Sequence, residues 1–148
     1  MSLIDTLQTD MKQALKNRDE LKLSTVRLIL SSVSYARIAK GDMLTDDEIV
    51  GVISREAKQR RETIESAING GRADIADREK AELDILQTYL PRQLDEAEIE
   101  TVVRQIVAEV GAVDIKDRGK IMGPVMQKVR GLADGKIVNA VVEKVLRG

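Results

Sequence analysis

The 148-residue sequence has no cysteine, histidine, phenylalanine or tryptophan, and only two tyrosines and two prolines. Without cysteine there is neither a disulfide framework nor thiolate chemistry. Without histidine the chain cannot build a Ser-His-Asp or Cys-His nucleophile, a His-ligated zinc or the commonest general base near neutral pH. Tyr35 and Tyr89 are its only aromatic residues. The stacking platforms that hold unpaired bases in single-strand binders are therefore missing, and any nucleic-acid contact has to run through the backbone. No long apolar run occurs, and the opening residues MSLIDTLQTDMK carry acids inside a periodic pattern. Neither a signal peptide nor a membrane segment is expected, and the chain reads as cytoplasmic.

What is present is a balanced, strongly charged composition: 43% hydrophobic and 33% charged residues, with 24 basic against 25 acidic side chains for a net charge of -1. A chain of this length can bury about two-thirds of its unfolded surface, enough for a real core without a metal or crosslink. The apolar residues recur at helical spacing almost throughout, so the expected fold is all-α. Leu3, Ile4, Leu7, Met11, Ala14 and Leu15 form one stripe behind Ser2 as a cap. A second helix, about 19–40, is apolar around most of its circumference, with Ser24, Arg27, Ser31 and Ser34 as a narrow polar seam, a pattern that suits the middle of a bundle. Thr45-Asp46-Asp47-Glu48 is a capping-box sequence opening a third helix through Ile49, Val52, Ile53, Ile64 and Ile68, which Asn69-Gly70-Gly71 closes. A fourth runs from near Arg72 to Leu90, ahead of Pro91.

A second capping-box sequence, Asp95-Glu96-Ala97-Glu98, follows at once. The expected organisation is thus an N-terminal four-helix lobe over 1–90, a linker at 91–93 and a small three-helix lobe over 94–148. Ile99, Val102, Val103, Ile106 and Val110 line the fifth helix, with Gly111 as its C-cap. Ile121, Met122, Val125, Met126 and Val129 line the sixth. Ile137, Val138, Val141, Val142, Val145 and Leu146 line the seventh, where helical spacing outweighs the strand preference of valine. Pro124 either kinks the sixth helix from within or makes it restart at Gly123.

Two constellations stand above this background. Glu56 and Arg60 lie four residues apart along the third helix, and Glu79 and Glu82 fall on the inward arc of the fourth. Carboxylate-bridged metal bundles normally add a Glu-x-x-His pair, which this chain cannot supply, so the plainer reading is a structural ion-pair seam joining two helices. No cofactor or metal is called for. The second constellation is a charge split: residues 94–115 carry one basic and six acidic side chains, whereas 116–148 carry eight basic and three acidic, a net of +5. Lys116, Arg118, Lys120, Lys128, Arg130, Lys136, Lys144 and Arg147 make this end the polyanion-facing segment. Within it Arg130-Gly131-Leu132-Ala133-Asp134-Gly135-Lys136 is a glycine-punctuated turn opening onto the last helix, where exposed amides favour phosphate unless Asp134 already caps them. By contrast, Lys58-Gln59-Arg60-Arg61 is interleaved with Glu56, Glu62 and Glu65 and reads as a solvated face. Met122 and Met126 read as core fillers. No Walker loop, dinucleotide fingerprint or nucleophile elbow occurs.

Several of these segments, taken in order, resemble the GatB/YqeY family, found as small free-standing proteins and as the C-terminal tail of one of the subunits of tRNA-dependent amidotransferases. The residues carrying the resemblance are Glu56-Ala57-Lys58-Gln59-Arg60-Arg61, Lys80-Ala81-Glu82-Leu83, Tyr89-Leu90-Pro91, Lys116-Asp117 with Gly119-Lys120 and Met122-Gly123, and Ala133-Asp134-Gly135-Lys136 with Val138-Asn139. The resemblance implies a helical lobe followed by a small three-helix lobe, and a tail-like role in binding tRNA or associating with an amidotransferase or another protein of translation. The carbon-nitrogen ligase chemistry, with glutamine as amide donor, would belong to the other domains of that complex and not to this chain. Lys116, Arg118, Lys120, Lys128, Arg130 and Lys136 would supply charge, Gly131 and Gly135 close backbone approach, and Asn139 a hydrogen bond. Leu132 stands where family members often carry an arginine. The alternative is a protein-interaction module without an RNA ligand, using the apolar stripe of the last helices or the groove between the lobes.

Overall fold

The computed structural model describes residues 2–112 and 114–148, and among these it contains seven α-helices, one short 3-10 turn and no strand. They are α1 (Leu3–Lys16), α2 (Glu20–Lys40), α3 (Asp46–Asn69), α4 (Ala73–Gln87), α5 (Glu96–Val110), α6 (Arg118–Lys128) and α7 (Gly135–Arg147), with the 3-10 turn Ile115–Asp117 leading into α6. The chain is all-α. It divides into two compact units, one ending at Leu90 and the other running Pro91–Gly148.

In the first unit, Ser2 caps α1 by accepting from the Asp5 amide. Asn17 and Arg18 turn the chain back, Arg18 in the left-handed region at φ 58°, and Asp19 accepts from the Lys22 amide to start α2. Gly41 closes α2 at φ 79°, where a Cβ would be strained, and its amide returns to the Arg37 carbonyl at 2.9 Å. The Thr45 and Asp95 boxes both form, with Glu48 and Glu98 reaching back to the cap amides. Leu7, Val26, Ile29, Val33, Ile49, Val52, Ile53, Ala57 and Leu86 make the main core, while Ile64, Ala67 and Ala76 form a separate cluster between α3 and α4.

Several expectations are corrected here. Although α2 is apolar nearly all round, it is not central: it buries Thr25, Val26, Ile29 and Val33 on one side and leaves Leu21, Leu28, Tyr35 and Ile38 exposed on the other. Leu15, Ile68, Val110 and Ile137 sit at helical spacing with core residues but are also exposed. Each except Ile137 lies within the last turn of its helix, where the stripe has run past the neighbouring element. Ile137 occupies the corresponding place in the first turn of α7. Helix α4 ends at Gln87, three residues before Leu90, because its last carbonyls are taken by the tighter turn through Thr88, Tyr89 and Leu90.

The second unit is a three-helix bundle around Ile99, Val103, Ile106, Ile121, Val125, Val129, Val138, Val141, Val142 and Leu146. Pro124 lies inside a continuous α6, so the helix does not restart at Gly123. Both Lys120 and Pro124 are exposed. The carbonyl that loses its donor therefore belongs to the solvent side of the helix, where water can serve it.

Candidate functional site

Six basic residues of the second unit, Lys116, Arg118, Lys120, Lys128, Arg130 and Lys136, fall toward the two ends of α6, which as an 11-residue helix rises about 16 Å. At its N-terminal end are Lys116, Arg118 and Lys120. Arg118 is engaged: one guanidinium nitrogen donates to Asn139 Oδ1 on α7 and another meets Glu143 Oε1 at 3.1 Å. Arg118 thus fastens α6 to α7 through both Asn139 Oδ1 and Glu143. Lys120 Nζ lies 3.6 Å from Asp117, and Lys144 lies 4.0 Å from Glu96. Lys116 is exposed.

At the other end, Lys128 closes α6 and Arg130 stands in the turn that follows, both exposed and both without an ion pair among the described residues. Gly131 adopts φ 75°, a left-handed conformation that lets the chain reverse toward α7. Lys136 reaches the same end from the first turn of α7. Its backbone amide donates to Asp134 Oδ1 at 3.1 Å, so Asp134 caps α7 and takes part of the amide array that an anion would use. Gly135 has Met126 Cε 3.6 Å from where a Cβ would stand, ordinary contact. The structure brings Lys128, Arg130, Gly131, Gly135 and Lys136 to one end of the bundle; Lys116, Arg118 and Lys120 do not join them.

Two residues that the sequence reading missed hold this turn in shape. The Leu94 amide donates to the Leu132 carbonyl at 2.8 Å, and Gln93 Nε2 donates to the Gly131 carbonyl at 3.0 Å. The Leu132 amide in turn donates to the Val129 carbonyl at 2.8 Å. Arg130 is therefore displayed from a loop whose carbonyls are tied to the start of the unit. The only hint in the sequence is that Gln93-Leu94 sits beside a proline and a capping box, which marks a structured entry but not its distant partner.

The seam in the first unit gathers around Arg60, whose side chain is 13% exposed. Its Nε lies 3.0 Å from Glu82 Oε2 and 3.3 Å from Glu79 Oε2, and its Nη1 lies 3.6 Å from Glu56 Oε2. Ser32 donates to Glu56 at 2.9 Å, adding α2 to the network, and Arg78 approaches Glu82 from outside at 3.8 Å. No group of three metal-ligating side chains is formed among the described residues. Arg60 occupies the position between the carboxylates, so the arrangement joins helices α2, α3 and α4.

Most of the apolar stripe of the last helices lies in the unit's own core: Ile121, Val125, Val129, Val138, Val141, Val142 and Leu146 are buried, Met122, Met126 and Val145 are partly buried, and Ile137 is exposed. No helix among the described residues is long and apolar enough to cross a membrane.

An all-helical chain with a larger first unit, a three-helix second unit and a basic turn between its last two helices defines the architecture. The chain belongs to the family of Yqey-like proteins, whose family model matches residues 4–146. Among curated relatives it is 29% identical over 150 residues to "Altered inheritance of mitochondria protein 41, mitochondrial" of Pyrenophora tritici-repentis, covering 97% of this chain and 81% of that protein. It is 31% identical over 119 residues to the protein of the same name in Vanderwaltozyma polyspora, covering 75% of this chain and 64% of that one. An uncharacterized protein of Schizosaccharomyces pombe is 29% identical over 94 residues, 61% of this chain and 76% of that protein. The match to the Vanderwaltozyma polyspora protein thus spans just under two-thirds of that relative's length.

Proposed function

We propose that this Yqey-like chain is a non-catalytic binding module whose second unit contacts the phosphates of a folded RNA, with tRNA as the ligand class that the family resemblance favours. The observation that carries the reading is the end of the bundle where Lys128 and Arg130, exposed and unpaired among the described residues, flank the Gly131 turn tied down by Gln93 and Leu94. Preorganised cations on a rigid turn suit phosphate contact, which positions a ligand without reading its bases. The lack of any aromatic residue after Tyr89 argues for recognition by shape. Arg118 and Asn139 act as supports in this reading, since their polar groups face each other. Association with an amidotransferase or another protein of translation belongs to the same proposal, as does a cytoplasmic location. The names of the fungal relatives point instead to mitochondria for those proteins.

The test is binding of the purified protein to total tRNA across a salt series, beside a variant carrying Lys128→Ala, Arg130→Ala and Lys136→Ala. Three phosphate contacts would lower affinity roughly forty-fold between 50 and 200 mM salt. The variant is expected to lose most of that dependence, whereas Lys116→Ala should change little. Binding indifferent to salt, or no binding to tRNA at 50 mM salt, would overturn the proposal.

A further inference from the structure

The four residues Val129-Arg130-Gly131-Leu132 make a turn that closes where the Leu132 amide donates to the Val129 carbonyl at 2.8 Å. Arg130 stands exposed at its second position, and Gly131 takes the third with φ 75°. Glycine there avoids the strain of a positive φ at a cost in entropy, because its backbone has more conformations to lose than that of any other residue. Part of what holds it in a single conformation comes from 38 residues earlier in the chain.

The peptide between Gly131 and Leu132 is gripped on both edges. Its N–H is the one that closes the turn, and its C=O accepts from Gln93 Nε2 at 3.0 Å. The next carbonyl, that of Leu132, accepts from the Leu94 amide at 2.8 Å. Gln93 Nε2 also donates to the Pro91 carbonyl at 2.9 Å. Both of its partners are carbonyls, so the nitrogen of the side-chain amide faces them and both of its hydrogens are in use. Gln93 is half-buried, whereas Lys128 and Arg130 are exposed. Its donors are spent within the protein, and it has no charge to offer a phosphate. Of the bonds that fix the turn, those from Gln93 are the ones a side-chain substitution removes.

We propose that Gln93 is a positioning residue for phosphate contact: by holding the Gly131–Leu132 peptide it presents Arg130 in one orientation before a ligand arrives, so that affinity depends on a side chain whose donors never leave the protein. This role presupposes that the turn contacts phosphate, as proposed above. Without Gln93 every charge remains but the glycine is freer, and binding has to order the turn itself. Ordering one backbone residue corresponds to about a fivefold loss of affinity.

The test measures binding of the full chain to total tRNA for Gln93→Met, which keeps the side-chain length and loses both donors, for Arg130→Ala and for the double variant. Gln93→Met is expected to bind about fivefold more weakly than the wild type while keeping its helical circular dichroism. Gln93→Asn, whose amide is one carbon too short to span both carbonyls, should fall between the two. In the Arg130→Ala background the Gln93→Met change should cost less than about twofold, because the residue being positioned is gone. Amide relaxation gives a second readout: the order parameters of Gly131 and Leu132 should fall from about 0.85 to below about 0.6 in Gln93→Met. A residue serving stability alone would lower the unfolding midpoint and leave the affinity of the folded chain unchanged. Wild-type affinity in Gln93→Met, losses that add in the double variant, or amides that stay rigid would overturn the proposal. If wild-type binding is steeply salt-dependent while any of these holds, the positioning role falls alone. If the wild type shows no salt-dependent binding to tRNA, the phosphate-contacting role of the turn falls with it.

Discussion

In the second unit every buried side chain among the described residues is aliphatic, and the polar links, Arg118 with Asn139 and Glu143 or Arg92 with Glu98, lie toward its surface. The first unit has an aliphatic main core and, beside it, a largely covered cation. Arg60 and its three glutamates stand where helices α3 and α4 meet, the Ser54 hydroxyl is buried with no hydrogen-bond partner among the described residues, and a satellite cluster at Ile64 is separate from the main core. The first unit also leaves a row of large apolar side chains on α2 uncovered. The smaller unit leaves only Val110 and Ile137 as exposed large aliphatics among the described residues, because a three-helix bundle must bury most of its aliphatic side chains to be stable. The larger one can hold both an internal polar cluster and an apolar face turned outward, and such freedom is where binding surfaces arise.

Core truncation should break this contrast most strongly. Ile121→Ala in the single core of the second unit is expected to cost about 3 kcal/mol, and Ile64→Ala in the satellite cluster about 2 kcal/mol, read from urea unfolding with equal m-values. Equal costs would mean that the satellite cluster supports its unit as much as a continuous core does. Next in size, Arg60→Ala should destabilise the first unit by about 2 kcal/mol, because it leaves three partly buried carboxylates facing one another without a cation. Arg60→Lys should recover only part of this, since an ammonium lacks the planar fork that reaches three partners. If Arg60→Ala were neutral, the seam would be a surface decoration.

The smallest effect compares the two capping boxes. A short hydrogen bond from the Lys40 ammonium, with the Thr45 amide, holds Glu48 at about 2, below the ordinary 4.5. Arg92, donating through two nitrogens at 2.9 and 2.6 Å, and then the Asp95 amide hold Glu98 at about 2. Both folded-state values are depressed. The stabilisation each glutamate gives is therefore fully present above pH 4.5 and is lost as pH falls from 4.5 toward 2. Carboxyl titration by NMR should place both midpoints near 2, and Arg92→Ala should move Glu98 upward while leaving Glu48 where it is. A shift of both would mean that the boxes are not independent.

Much of the fold is legible from local chemistry. Both capping boxes, the Gly41 and Gly111 ends and the helical character of valine-rich α7 follow from residues within a turn or two of each other, and the structure has them all. What local pattern cannot supply is which side of an all-round apolar helix finds a partner. The periodicity of α2 is nearly flat, so nothing in it separates the outward row at Leu28 and Tyr35 from the buried one. The same limit applies at helix ends, where Leu15, Ile68 and Val110 keep the period after the neighbour has gone. Pairings distant in sequence are invisible for a related reason. Gln93 with Gly131, Arg118 with Asn139 and Tyr89 with Asp10 depend on how helices pack, and none of them leaves a spacing signature.

The Tyr89 hydroxyl donates to Asp10 at 2.6 Å, and half-burial together with that carboxylate raises its pKa above the ordinary value, whereas Tyr35 stands open on α2. Both chromophores lie before Leu90 and none lies beyond it. In near-ultraviolet light the chain is therefore a one-sided reporter. Tyrosine emission and alkaline difference spectra describe the first unit alone, with one ring accessible to quenchers and one shielded. The second unit adds no aromatic signal of its own, so a tyrosine change on adding a ligand would report an effect in the first unit.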